Sequence, residues 1–409
     1  MFKLKRNNGF KDKIKRFWRN KFTKNKNCFS IKELLLFMLI TFAFGIFVGG
    51  LVMHKFGMLG SNASLYEFAA TYNELLDSYY EDVDAEKLLQ AGISGMVDYL
   101  GDPYTTYMNK DSAEAFNEDV EGYYYGVGAE VKYDAKFEKV SVGKIFENSP
   151  AEKAGLKTDD IIIKVNDEDI KGKTLAYIAE KVKGPDGTDV TLTVLRDEKE
   201  KEIKITRGPV DTISVAGEVI EREDRKIGYL AISVFASNTA EQFKKELKKL
   251  EDEKIESLII DVRGNSGGYL TSVSEIISMF VKKDEVIYQL KTKDKLEKIK
   301  DDTKESRDYD IVILTNSGSA SASELLTGAM KETYHATIVG TKTFGKGKVQ
   351  KVYTLSNGAM VKYTHQEWLT PEGNYIDKKG IEPDIEIAYE YNEKVDNQLE
   401  KAIEVLLEK

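Results

Sequence analysis

One cysteine in 409 residues, Cys28, excludes an internal disulfide, so the fold must be held by packing alone. Histidine is nearly as scarce. His54, His335 and His365 are the only three, and none has a second His or a Cys at ligand spacing. No metal site is expected from this chain, and no other cofactor. The same scarcity bears on catalysis, because none of the three stands in a glycine-rich loop of the kind that presents a general base. A Ser–His–Asp arrangement is therefore disfavoured. The body of the chain also lacks positive charge. Residues 1–55 hold 13 Lys/Arg against two acids, Asp12 and Glu33, a balance of +11; with −9 for the whole chain, the remainder carries −20. An acidic body argues against nucleic acid as a partner.

What is present begins with an uncharged run of 20 residues at positions 34–53, LLLFMLITFAFGIFVGGLVM, long enough to cross a bilayer as one helix. Residues 1–31 hold eleven Lys/Arg against Asp12 alone. The positive-inside rule then keeps residues 1–33 in the cytoplasm and places the body outside the cell membrane. A cleaved signal peptide is the rival reading, but its apolar region is usually shorter, and Gly60-Ser61-Asn62-Ala63 is a poor cleavage site. The basic segment can also touch anionic lipid; a nucleic-acid-binding arm is the weaker alternative.

Chemistry concentrates in residues 316–330, NSGSASASELLTGAM, and 343–350, TFGKGKVQ. Ile311–Leu314 reads as a buried strand and Glu324-Leu325-Leu326 opens a helical pattern. Only small residues lie between them. A strand that breaks into a helix through small residues can expose a serine beside free helix N–H groups, an arrangement suited to acyl transfer. Lys346, between Gly345 and Gly347, can serve as base if desolvation lowers its pKa from about 10.4. A solvated surface loop is the plain alternative, and spacing alone leaves both open.

GSASASE followed by FGKGKVQ resembles the active site of the carboxyl-terminal processing, or tail-specific, proteases: S41-family serine peptidases with a PDZ domain. The resemblance extends over most of the chain from about residue 65. It implies Ser321 as nucleophile, Lys346 as base, and Gln350, one helical turn past the lysine, as the assisting residue. It further implies an oxyanion hole from the amides of Ala322 and of Gly267 or Gly268 in the loop RGNSGG, the choice between the glycines being open. Ser319 and Ser323 are read as structural, as are Asp261 and Glu324; a catalytic part for Glu332 is a weaker reading.

Residues 119–207 resemble a PDZ domain. Tyr125-Gly126-Val127-Gly128 is similar to the loop that takes a peptide's terminal carboxylate on backbone amides, and Ala129-Glu130-Val131 to the strand edge that a peptide extends. A helix over residues 174–182 would wall the groove. Ahead of this, helical stripes at residues 65–80 and 85–100 lead into GDPYTTYM, similar to the segment preceding the PDZ domain in the family. Such stripes serve a core or a homodimer contact.

The expected fold is α/β: a crotonase-like ββα catalytic core over residues 208–390 and an inserted PDZ domain, a small β-barrel with helices. Around these come a helical region at 64–118, a single transmembrane helix at 34–53 and a terminal helix within 391–409. The expected function is a membrane-anchored serine endopeptidase that captures free C-terminal tails of proteins or peptides. The alternatives are a PDZ tethering protein with an inactive core, and a soluble esterase on the same core.

Overall fold

The computed structural model describes residues 13, 16, 30–55, 63–134, 139–392 and 395–409. Most of the basic arm, Cys28 and the cleavage candidate at residues 60–62 fall outside these, as does the side chain of His54. The chain divides into two compact units, residues 1–89 and 90–409.

In the first unit, the apolar run forms the helix Ile31–Lys55, whose stretch Lys32–Leu51 is long and apolar enough to span a membrane. Its large side chains are exposed along its length, from Leu34 to Leu51. The helix Ala63–Ser78 follows, and Tyr72 Oη donates to the carbonyl of Ala85 at 2.9 Å.

The second unit carries two large sheets and a smaller β-rich module. The central sheet orders its strands as Val215–Arg222, Arg225–Ile232, Ser257–Asp261, Asp310–Thr315, Thr337–Gly340 and Ile385–Glu386. Only the first pair is antiparallel. Both faces are covered, so its strands read as continuous β-branched and apolar runs, SLIID and DIVILT, without alternation. Helices Thr239–Asp252, Leu270–Ile277 and Ala322–Ala329 pack one face, through Phe243, Leu247, Ile276 and Leu326. The terminal helix Asn397–Leu407, N-capped by Asp396, packs the other through Ala402, Ile403 and Leu406. A second, antiparallel sheet is built on the long strand Met360–Leu369, which pairs with Thr106–Met108, Val286–Lys291 and Lys348–Thr354.

The module at residues 129–206 has its own core, including Val142, Ile178, Val190 and Ile205. Its main sheet runs Ala129–Asp134, Lys139–Ile145, Ile161–Val165, Asp189–Arg196 and Lys199–Thr206. The helix Leu175–Val182, capped by Thr174, lies against the edge strand Ala129–Asp134, whose outer side has no strand partner among the described residues. Tyr123–Gly126 belongs elsewhere. It pairs antiparallel with Gly208–Asp211 in a separate two-stranded ribbon through which the chain enters and leaves the module.

Candidate active site

The strand Asp310–Thr315 ends at the carboxyl edge of the parallel sheet, where a doubly covered sheet places ligands. From there the small residues turn the chain sharply into the helix Ala322–Ala329. Of the four serines at residues 317–323, two are sewn into the scaffold. Ser319 Oγ donates to Val262 O and Ser323 Oγ to Asn265 O, both at 2.8 Å. Ser321 stands at φ 54°, ψ −110°, a conformation that costs a non-glycine residue strain and persists only where neighbours impose it.

The neighbour that imposes it is Glu324, fully buried. Its Oε2 accepts the Ser321 amide at 2.9 Å and the Lys346 amide at 2.8 Å. Its Oε1 accepts Thr343 Oγ1 and the Gly345 amide, both at 2.6 Å. A single carboxylate thus holds the backbones of Ser321 and Lys346 together, although 25 residues separate them. The spacing Ser321-x-x-Glu324 is a capping-box pattern visible in the sequence, but only the fold shows that the same carboxylate reaches the second loop.

The lysine loop is fixed from its other side too. Trp368 Nε1 donates to Lys346 O at 3.0 Å, and the Gly347 amide donates to Asp377 Oδ1 at 3.1 Å. A Cβ on Gly345 would lie 3.0 Å from the Gly380 and Lys379 amide nitrogens, which explains glycine there. Burial pushes the Lys346 amine below the usual lysine range, and Lys362 adds to this, while Glu324 and Asp102 pull the other way.

Gln350 lies in the strand Lys348–Thr354, beside a bulge, so the expected helical relation to Lys346 does not hold. Gly345 and Gly347 leave the lysine in a loop, and the β-branched residues after it extend. Gln350 Nε2 is buried without a partner among the described residues.

The two glycines are distinguished by their neighbours. The Gly267 amide donates to Asn265 Oδ1 at 2.9 Å and is occupied. The Gly268 amide has no acceptor among the described residues, and neither has that of Ala322, the first residue of its helix. Gly267 nonetheless packs on the serine turn: a Cβ there would lie 2.8 Å from both Ala320 O and Ser321 Cβ, at φ 106°.

Other polar residues are bound up structurally. Asp261 pairs with Arg263 and accepts from Tyr229 Oη, and Arg263 reaches on to Asp396. Glu332 accepts from the Glu372 amide and Asn374 Nδ2. His335 is exposed at the end of a π-helical turn and His365 is exposed edge-on to Tyr363; neither bonds Ser321.

In the module, Tyr125 and Gly126 lie in the entry ribbon, and the Tyr125 ring meets Tyr123 edge-on. Val127 O and Gly128 O accept from the Ala151 and Phe146 amides at 2.7 and 3.0 Å. The amides of Val127 and Gly128 have no acceptor among the described residues. Gly128 has φ 76°, and a Cβ would fall 2.4 Å from Ser149 Cβ, so only glycine fits.

Comparison with known proteins agrees with this layout. Residues 226–387 match peptidase family S41, residues 142–196 a PDZ domain, and residues 55–112 the "Activating protease CtpB N-terminal domain". The chain is 42% identical over 319 residues to the carboxy-terminal processing protease CtpB of Bacillus subtilis, covering 77% of this chain and 66% of that one. A probable CtpA-like serine protease of Staphylococcus haemolyticus is 39% identical over 362 residues, 87% of this chain and 72% of the relative. Among solved structures, a photosystem II D1 C-terminal processing protease aligns at 26% identity with a TM-score of 0.49, over 83% of this chain and 90% of that one. With the turn around Ser321, the glycine loop and the lysine loop all inside the matched segment, the chain belongs to peptidase family S41 and carries a PDZ domain.

Proposed function

We propose that this chain is a membrane-anchored serine endopeptidase that selects proteins by their C-terminal tails. The observation that carries the reading is the shared Glu324 carboxylate, which holds the backbones of Ser321 and Lys346 side by side. In this mechanism Lys346 is neutral and takes the Ser321 hydroxyl proton as Oγ attacks the scissile carbonyl. The tetrahedral oxyanion lies on the amides of Ala322 and Gly268. The Lys346 ammonium then gives its proton to the leaving amine. Water, deprotonated by the same lysine, releases the acyl-enzyme and regenerates the serine. Gln350, with its unpartnered amide nitrogen, is the candidate assisting residue.

The tail would extend the edge strand Ala129–Asp134 beneath the helix Leu175–Val182, its carboxylate on the Val127 and Gly128 amides. The PDZ sheet is read as a small barrel and the core as crotonase-like. The helix Ile31–Lys55 is read as a retained anchor with the basic arm cytoplasmic and the catalytic body outside.

The test compares residues 60–409 with their Ser321→Ala and Lys346→Ala forms on casein from pH 6 to 10. The reading requires cleavage by the parent and by neither variant. A peptide with a free apolar C-terminus should be cut faster than its amidated form. Binding of the free-acid peptide without cleavage at any pH would instead identify a tethering protein.

A further inference from the structure

The turn at residues 101–105 stands apart from both catalytic motifs in sequence, yet it reaches the base. Asp102 organises it, accepting the Tyr104 amide at 3.2 Å on Oδ1 and Thr105 Oγ1 at 2.5 Å on Oδ2. Thr105 Oγ1 in turn accepts the Thr364 amide at 3.1 Å, and Thr106 pairs with Lys362 across the sheet. The turn is thereby stapled to the strand Met360–Leu369. The staple aims the Tyr104 ring at the lysine, with Lys346 Nζ 5.1 Å from the ring centroid. Both residues are half-buried.

We propose that Tyr104 is a positioning residue for the base: its ring covers the Lys346 amine, fixes where that amine sits and keeps water from it. This rests on the Ser321–Lys346 reading. The groups that bear on the amine come from three elements. Asp102 and Tyr104 belong to the turn, Lys362 to the strand Met360–Leu369, and Glu324 to the helix Ala322–Ala329. Lys348 and Asp377 lie near the Tyr104 hydroxyl, and burial with the surrounding carboxylates keeps that phenol protonated. The ring acts on the amine in two opposite ways. Its face attracts a cation, which favours the ammonium. Its bulk excludes water, which favours the neutral amine. Burial is the largest influence on Lys346, so exclusion of water should dominate.

The experiment measures kcat/KM against pH with a free-acid peptide, for the parent and for Tyr104→Phe, Tyr104→Leu, Tyr104→Ala and Lys346→Ala, with a thermal melt for each. Tyr104→Phe should keep the parental acid limb. Tyr104→Ala should move that limb up by about one pH unit, a roughly tenfold loss near neutral pH carried by kcat more than KM. If Tyr104→Ala does not fold, Tyr104→Leu, which keeps apolar bulk without a flat ring, should show a smaller upward move. A limb that stays put or moves down in a folded Ala or Leu variant overturns the inference while Lys346→Ala remains silent. Cleavage by Lys346→Ala overturns the Ser–Lys reading itself, and this inference with it.

Discussion

Replacing Glu324 by Gln changes one oxygen to an amide nitrogen in a fully buried site. All four partners of the carboxylate are donors: the amides of Ser321, Gly345 and Lys346 and the hydroxyl of Thr343. The glutamine oxygen can serve two of them, and its NH2 group then faces the other two, donor against donor. Each buried donor left without an acceptor costs about 1–3 kcal/mol, and the lost bonds were charge-assisted, so about 3–6 kcal/mol is expected. Against a total stability of about 5–15 kcal/mol this is severe. It corresponds to a fall in melting temperature of at least about 6 °C. Activity should suffer beyond the unfolded fraction, because the two backbones held by one oxygen would separate, and a shift of about 1 Å between reacting groups costs on the order of 100-fold. Calorimetry and casein cleavage on Glu324→Gln, at a temperature where the variant is folded, test both. A variant melting within about 2 °C of the parent and cutting within about twofold of it would refute the assignment of Glu324 as the link between the two loops.

Other outcomes follow from the same geometry. Since burial favours the neutral Lys346 amine, activity should rise with pH and reach half its maximum below the ordinary lysine value of about 10.4; an acid limb at or above that value would show an unperturbed base. Gly267→Ala would place a methyl group 2.8 Å from Ala320 O and Ser321 Cβ at φ 106°, and should lower turnover by about 100-fold or more together with the melting temperature. In the PDZ domain, burial alone would raise the Asp160 pKa, but the Arg196 fork and the Lys157 amide outweigh it and hold it low. Asp160→Asn should therefore cost about 3–5 kcal/mol at pH 7. The difference from the parent should be present above the usual aspartate value of about 3.9 and shrink as pH falls through the depressed one, which urea melts at several pH values would follow.

The serine turn and the lysine loop stand out in the sequence because each is written in contiguous residues, small around Ser321 and glycine around Lys346. The PDZ domain was legible for a related reason: its turns and strands recur in order, and its groove needs only a strand edge and a helix. What lay hidden depends on side chains that reach across the fold. That the Gly267 amide is occupied depends on where Asn265 Oδ1 points, which no spacing reveals. Glu324 could be read as a cap, but its second contact lies 22 residues on. Trp368, 22 residues past Lys346, supports its carbonyl. Gln350 shows the opposite failure: the resemblance put it one helical turn past Lys346, and the residues after Gly347 extend instead.

The ribbon formed by Tyr123–Gly126 and Gly208–Asp211 has a consequence for how the protein is assembled. Tyr123 stands opposite Asp211 and Gly126 opposite Gly208, so the points of entry and departure are neighbours across a single strand spacing. The intervening residues form a cassette whose two ends already meet. Exchanging that cassette for another whose termini lie equally close would require no change in the path of the remaining chain, and recognition could diversify while the chemistry beneath it stayed the same.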